Sequence, residues 1–270
     1  MAVAKVKRLL PKKTKVGHTG TLDPLASGLL VLLIGRATRL SRYVTHLDKA
    51  YTATARFGAV SDTLDADGNV TPVDAPLPDE HAIRGALDDF TGDLLQVPPM
   101  ASALKREGIR LYNLHRRGVK VEREARPVTV HSLTLIRVRP AEQTATFEIS
   151  CSSGTYVRAL ISDLASHLGT GAYLTALRRT SVGHLTLDDA ATPSDLSPET
   201  IHNHIIPPRM VVAHLPVVAL DPSGRRAVCS GQGMEASEGG IFRVESEGEL
   251  LAIYRGEGGL ARPEVVLCAG

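Results

Sequence analysis

The chain has 270 residues, enough for one large domain or a medium domain with a small companion. A hydrophobic fraction of 43% excludes a disordered tail, and the longest apolar run, Leu29 to Ile34, is far short of the roughly 20 residues that a membrane-spanning helix needs. The net charge of +2 hides segregation: residues 1–50 hold ten Lys/Arg against two Asp, residues 104–139 hold ten against three acids, and residues 61–93 hold nine acids against one Arg. Two basic blocks predict one basic face for a polyanion, although solvated helix faces would look the same from charge alone. Aromatics at 4% and no Trp argue against wide base-stacking platforms. Three scattered cysteines, Cys151, Cys229 and Cys268, with no C-x-x-C pair, predict reduced thiols, no disulfide framework and no thiolate zinc site. With no leader pattern at the N-terminus, these features predict a soluble cytoplasmic protein.

In chain order, Ala2, Val3, Val6, Leu9 and Leu10 recur at helical spacing up to Pro11. Residues 12–25 read as a loop, 28–34 as a fully buried strand and 37–47 as a helix. Tyr51, Ala53, Ala55 and Phe57 alternate as one face of a strand. An acidic stretch ends in the turn signature Asp67-Gly68-Asn69, and 79–90 reads as an amphipathic helix. An extended piece at 97–100 and a short helix at 109–117 precede paired strands over 129–138 and 144–151. A helix over 156–168 ends at Gly169, and 173–182 is mixed. The lack of a βαβ rhythm favours an α+β fold, a mixed and largely antiparallel central sheet flanked by helices. Proline and polar residues cluster over 185–215 as in a linker. Short segments at 216–220, 227–229, 240–244, 250–254 and 263–267 then read as the strands of a small β-barrel.

The densest chemistry is Gly17-His18-Thr19-Gly20-Thr21-Leu22-Asp23-Pro24-Leu25-Ala26-Ser27-Gly28. Glycines and a proline fix a tight loop that presents a His, two Thr and an Asp. The basic surround of Asp23 favours an ionised carboxylate, suited to nucleophilic or general-base work. An Asp-Pro turn that merely caps the next element has the same local signature. Asp65 and Asp67 beside Gly68 form too poor an oxygen set for calcium, and His202-x-His204 has no third ligand, so no metal site is expected.

This twelve-residue loop resembles the catalytic loop of the TruB family of tRNA pseudouridine synthases, G-H-T-G-x-L-D-P-x-A-x-G, with every fixed position present. The resemblance continues through Lys49-Ala-Tyr51, Ser61-Asp-Thr-Leu-Asp65-Ala-Asp67-Gly68, Val97-Pro-Pro-Met-Ala-Ser-Ala-Leu-Lys105, Arg123-Glu-Ala-Arg126-Pro, Gly154-Thr-Tyr156-Val-Arg158 and Leu177-Arg178-Arg179. It implies an isomerase that converts uridine 55 in the tRNA T loop to pseudouridine, without metal or organic cofactor. Asp23 is then the catalytic carboxylate, Tyr51 the ring packed on the target base, and Arg158 the partner of the aspartate. Leu177 lines the uracil pocket, and His18 enters the T loop as the target base flips out, a step that costs a few kcal/mol. The basic residues Lys15, Arg36, Arg39, Lys105, Arg110 and Arg126 are expected to grip the T arm.

The implied organisation is a catalytic domain over 1–195, a linker over 196–214 and a module over 215–270 resembling a PUA domain. The expected partner is tRNA, with no membrane, no obligatory protein partner and a monomeric state. Family members open with a segment of the form G-x-x-x-x-D-K-P-x-G-x-T-S. Met1 instead falls inside what reads as the following helix, so that strand is expected to be missing. The alternative reading is a tRNA-binding or folding module whose catalysis is impaired by the short N-terminus. A guide-RNA-dependent subunit would show longer basic tails, and a glycosidase would need a second acid opposite the first.

Overall fold

Alternating apolar residues build the sheet that holds the site. The computed structural model describes residues 2–106, 108–119, 121–236 and 239–268. It divides into two units, one of Leu22–Leu29 and Leu47–Val182, the other of Met1–Thr21, Leu30–His46 and Gly183–Gly270. In the first of these, β1 (Ala26–Gly28), β2 (Lys49–Phe57), β3 (Gly92–Gln96), β4 (Arg126–Arg139), β5 (Thr144–Cys151) and β6 (Ala172–Val182) form a mixed sheet in the order β1-β6-β2-β5-β4-β3. All neighbours are antiparallel except β1, which runs parallel to β6.

The predicted alternation of β2 buries Ala53, Ala55 and Phe57 together with Phe147 and Ile149 of β5 and Leu174 and Leu177 of β6. Helix α1 (Glu80–Ala86) starts where the Asp79 carboxylate accepts from Ala82 N at 2.7 Å, an N-cap, and buries Ile83 and Ala86 in the same core. A second short helix, α2 (Leu111–Arg116), follows the hairpin that pairs Lys105 with Arg110. Helix α3 (Val157–His167) adds Leu160, Ile161, Leu164 and Ala165 to the core, each large apolar side chain contributing about 1.5–3 kcal/mol by leaving water. Its first residues have no cap of their own. The buried Gln96 side chain of β3 supplies one, accepting from Tyr156 N at 2.7 Å and donating to Tyr156 O at 3.1 Å.

Two readings of this region change. The single strand expected over 28–34 is broken, because Gly28 adopts φ +99° and Leu29 N turns to Arg179 O at 2.8 Å. The chain resumes strand pairing at Leu32–Ile34, against Val16–His18, inside what the sequence presents as a loop. The mixed stretch at 173–182 is one long strand, β6, whose register shifts at Leu174/Ala176 and Arg179/Ser181 blur its alternation.

The other unit holds the N-terminal helix Ala2–Leu9, with Val6 buried, and a 5-stranded sheet of β7 (Val217–Ala219), β8 (Met234–Glu235), β9 (Gly240–Ser246), β10 (Glu249–Glu257) and β11 (Leu260–Val266), in the order β7-β9-β10-β11-β8. Phe242, Val244, Leu251, Ala252, Tyr254 and Ala261 form its core. Residues 227–229, expected as a strand, belong to a helix, α4 (Arg225–Cys229). The Asp221 carboxylate accepts from Ser223 N and Gly224 N, a turn that starts helical winding. Arg243 donates to the carbonyls of Val212, Ala213 and Leu215 and so fastens this stretch to β9. The expectation of three reduced thiols is corrected too. Cys229 and Cys268, 39 residues apart, are joined as a disulfide with Cα atoms 5.5 Å apart, and among the described residues Cys151 alone is a free, buried thiol. Among the described residues no helix is long and apolar enough to cross a membrane.

Candidate active site

Arg158 organises the site. It lies one residue into α3, only 3% exposed, and its guanidinium faces four groups from three separate stretches of chain. Nε donates to Asp23 Oδ2 at 2.8 Å, Nη2 to Ala101 O at 2.8 Å, and Nη1 to Thr63 O at 2.6 Å while lying 3.2 Å from Asp65 Oδ2. A buried cation requires this kind of satisfaction, since an isolated one costs several kcal/mol to desolvate. Asp65 is equally buried. Its Oδ1 accepts from Thr63 Oγ1 at 2.6 Å and from Asp67 N at 3.1 Å. The acidic turn itself is stitched to β6, with Ala66 N donating to Leu174 O and Leu174 N to Leu64 O. Asp23 differs from Asp65 in exposure: its side chain is 36% accessible, and among the described residues its Oδ1 makes no hydrogen bond. One carboxylate therefore braces the arginine from inside, and the other presents a free oxygen outward.

Tyr51 stands on β2, opposite Ile149 of β5 on one side and Arg179 of β6 on the other. Its ring packs on the core. Burial pushes the phenol above its ordinary range, the Arg179 charge opposes that shift, and the nearby Asp23 charge adds to it. Leu177, two residues before Arg179, is 6% exposed and pairs with Ala53 and Ala26, so the Asp23 loop, Tyr51 and Leu177 meet on adjacent strands. Tyr156 lies close by, its phenol raised by burial and within the influence of Asp23 and Arg158. Under Tyr51, burial draws Lys49 down to about 8, with the Arg179 charge adding to the effect, and burial drives the Cys151 thiol up to about 11.

Thus the structure brings together Asp23, Tyr51, Arg158 and Leu177. The exposed Arg126 opens β4 opposite Gln96 and influences Tyr156. Arg110 lies over the Tyr112 ring, its Cζ 5.8 Å from the centroid, with Arg116 at 5.7 Å from the same ring. Lys105 is placed by its backbone in the strand Lys105–Arg106. Lys15, His18, Arg36 and Arg39 fall in the other unit. There His18 Nδ1 accepts from Gly20 N at 3.4 Å. Arg36 and Arg39 donate to the carbonyls of Leu267 and Val266, so part of their donor capacity serves the fold rather than a ligand. Sequence reasoning left Asp65 as a rejected metal loop and gave no task to Gln96 or Arg179. An acid 42 positions from Asp23 carries no local mark of a shared arginine. Among the described residues no group of His, Cys, Asp and Glu could hold a metal ion.

Comparison with known proteins gives this arrangement a family. The model of the TruB family pseudouridylate synthase N-terminal domain matches residues 7–157, and that of the tRNA pseudouridylate synthase B C-terminal domain matches residues 158–206. A tRNA pseudouridine synthase B of Burkholderia mallei is 43% identical over 282 residues, covering 100% of this chain and 92% of that protein. One of Saccharophagus degradans is 40% identical over 263 residues, covering 94% of this chain and 83% of that protein. The chain belongs to the TruB family of pseudouridylate synthases and is an isomerase. In fold it is similar to the crystal structure of a Cbf5-Nop10-Gar1 complex, at TM-score 0.73 and 23% identity over 99% of this chain and 80% of that one. A structure of an H/ACA RNP bound to a substrate RNA containing 2′-deoxyuridine gives TM-score 0.71 at 22% identity, over 98% of this chain and 80% of that one.

Proposed function

We propose that this isomerase converts uridine 55 in the T loop of tRNA to pseudouridine, with Asp23 as its catalytic carboxylate. The observation that carries the reading is the Asp23–Arg158 pair, in which the buried guanidinium orients one carboxylate oxygen and leaves the other open beside Tyr51. The reaction breaks the C1′–N1 bond, turns the uracil and forms a C1′–C5 bond, while C5 loses a proton and N1 gains one. Nothing is oxidised or reduced, so side chains alone suffice. Asp23 Oδ1 acts at the ribose, as nucleophile or as the base that starts an elimination. Arg158 keeps that carboxylate charged and aimed. Tyr51 packs on the uracil against Leu177, which requires the target base to leave its stack, and His18 enters the T loop in its place.

Lys15, Arg36, Arg39, Lys105, Arg110 and Arg126 hold phosphates of the T arm in this reading. The domain assignment that goes with it is 1–195 catalytic, 196–214 linker and 215–270 a PUA-like RNA-binding module. The enzyme acts as a cytoplasmic monomer, with no obligatory protein partner and no cofactor. The test is pseudouridine formation on an unmodified tRNA transcript by the wild type and by Asp23→Asn, which keeps shape and removes charge. Turnover at the T loop, abolished in the variant while tRNA still binds, is the expected result. Binding without turnover by the wild type would overturn the reading in favour of a tRNA-binding module.

A further inference from the structure

Strand β3 alternates between solvent and the inside of the sheet: Asp93 and Leu95 are exposed, and Gln96 follows Leu94 onto the inner face. A period of two calls for an apolar side chain there, yet the position holds an amide that is only 4% exposed. Burying an amide is unfavourable unless hydrogen bonds replace the water it loses. Both ends of the Gln96 amide go to one residue: Oε1 accepts from Tyr156 N at 2.7 Å, and Nε2 donates to Tyr156 O at 3.1 Å.

These two bonds grip the peptide planes on either side of the Tyr156 Cα, so they fix the orientation of the residue as well as its position. Tyr156 O also accepts from Leu160 N at 3.0 Å, the bond that closes the first turn of α3. Its two lone pairs are then shared between helix and strand. The Tyr156 side chain itself caps nothing, so the start of α3 is set from β3. Arg158 lies two residues on, inside that first turn. The chain that leaves Gln96 also reaches the far end of this arginine, because Ala101 O accepts from Arg158 Nη2 at 2.8 Å. Pro98 and Pro99 restrict the backbone between the two contacts. Residues 96–101 thus hold Arg158 at its backbone root and at its tip, and Arg158 Nε holds Asp23 Oδ2 at 2.8 Å.

We propose that Gln96 is a positioning residue for the isomerisation: by pairing with both backbone polar groups of Tyr156 it sets where α3 begins, and with it the place from which Arg158 aims Asp23. This rests on the reading that Asp23 serves the reacting nucleoside. Gln96 touches neither the carboxylate nor the base, and its effect on the rate passes through Arg158.

The test uses the full chain with Gln96→Met, which keeps an unbranched side chain of similar length and removes both polar ends. Gln96→Glu is its companion, keeping an acceptor for Tyr156 N. Single-turnover pseudouridine formation, tRNA affinity and the NMR signal of the Arg158 side-chain Nε–H, assigned through Arg158→Lys, are measured for each. Gln96→Met should slow the single-turnover rate by about tenfold or more with tRNA affinity nearly unchanged. Gln96→Glu should recover part of that rate. The Arg158 Nε–H signal, which reports the bond to Asp23, should move in Gln96→Met. In an Arg158→Lys background the same substitution should slow the rate by no more than about twofold, because the group it acts through is already gone. A cap that served stability alone would slow both backgrounds equally. Wild-type turnover by Gln96→Met, a loss wholly in tRNA affinity, equal losses in the two backgrounds or an unmoved Arg158 signal would each overturn the proposal. The signal reads the Gln96–Arg158 coupling in the free protein, so it stands even if the wild type has no turnover on tRNA. If Gln96→Met does not fold, Gln96→Glu carries the same comparison, and a wild-type rate and signal there would overturn the proposal as well.

Discussion

Replacing Asp65 by Asn tests whether the buried carboxylate is what holds Arg158 in place. Both Asp65 oxygens are engaged: Oδ1 accepts from Thr63 Oγ1 and Asp67 N, and Oδ2 lies 3.2 Å from Arg158 Nη1 as an ion pair. An amide has one accepting end. If its oxygen keeps the two bonds of the turn, its NH₂ faces the Nη1 of Arg158, donor against donor. If it flips, the turn loses both acceptors. A charge-assisted bond is worth about 1.5–3 kcal/mol, and removing one partner of a buried pair costs about 3–5 kcal/mol. Arg158 keeps Asp23 and the carbonyls of Thr63 and Ala101, so a cost of about 2–4 kcal/mol is expected, nearer the lower of these ranges. For a protein of this size that corresponds to a fall in Tm of roughly 5–10 °C. Thermal unfolding followed by circular dichroism reads this directly, and single-turnover activity should fall with it because Asp23 shares the same guanidinium. A variant with Tm within a degree of the wild type and an unchanged rate would refute the argument that Asp65 braces Arg158.

Three other outcomes follow from local geometry. Gly28→Ala should cost at least about 2 kcal/mol, since φ +99° is unfavourable for an L side chain and the added methyl meets the Arg179 backbone; equilibrium denaturation measures it. Burial depresses Lys49 from 10.5 to about 8, so folding disfavours its charged form. The unfolded chain then binds more protons between those values, and the penalty is in full force below about 8 and is relieved as pH rises toward 10.5. Lys49→Met should remove that upward slope in a stability-versus-pH series, and an unchanged slope would reject the assignment. Reducing Cys229–Cys268, which closes a loop of 39 residues, should lower stability by about 3–4 kcal/mol in the chain-entropy view, and alkylation after denaturation should count one thiol before reduction and three after.

Much of the site was legible because its residues are dense in sequence. The loop around Asp23 concentrates glycine, proline and polar groups in twelve positions, and the alternation of Tyr51, Ala53, Ala55 and Phe57 marks β2 and its buried face without help from any other strand. The paired strands β4 and β5 and the amphipathic helix α3 were legible for the same reason: burial on one face imposes a period of two or of 3.6 on the local sequence. Where the backbone departs from regularity the period fails. Bulges hid β6, and the positive φ of Gly28 cut a continuous apolar run into two pieces of different destination.

By itself, then, the sequence determined the family, the mixed α+β class, the β2 face and the set of groups that could do chemistry, since each is written in neighbouring residues. Tertiary structure alone decided who meets whom. Asp23 and Arg158 are 135 residues apart, and Gln96 caps a helix 60 residues on. Asp65 turns out to be the inner counter-ion of an arginine rather than an idle acid in a turn, and Cys229, at the end of a short helix, finds Cys268 beyond the last strand. The physical reason is common to the three polar contacts. A buried polar group must be satisfied, but its partner is whichever group strand register and helix packing bring within about 3 Å, and no local pattern records that choice.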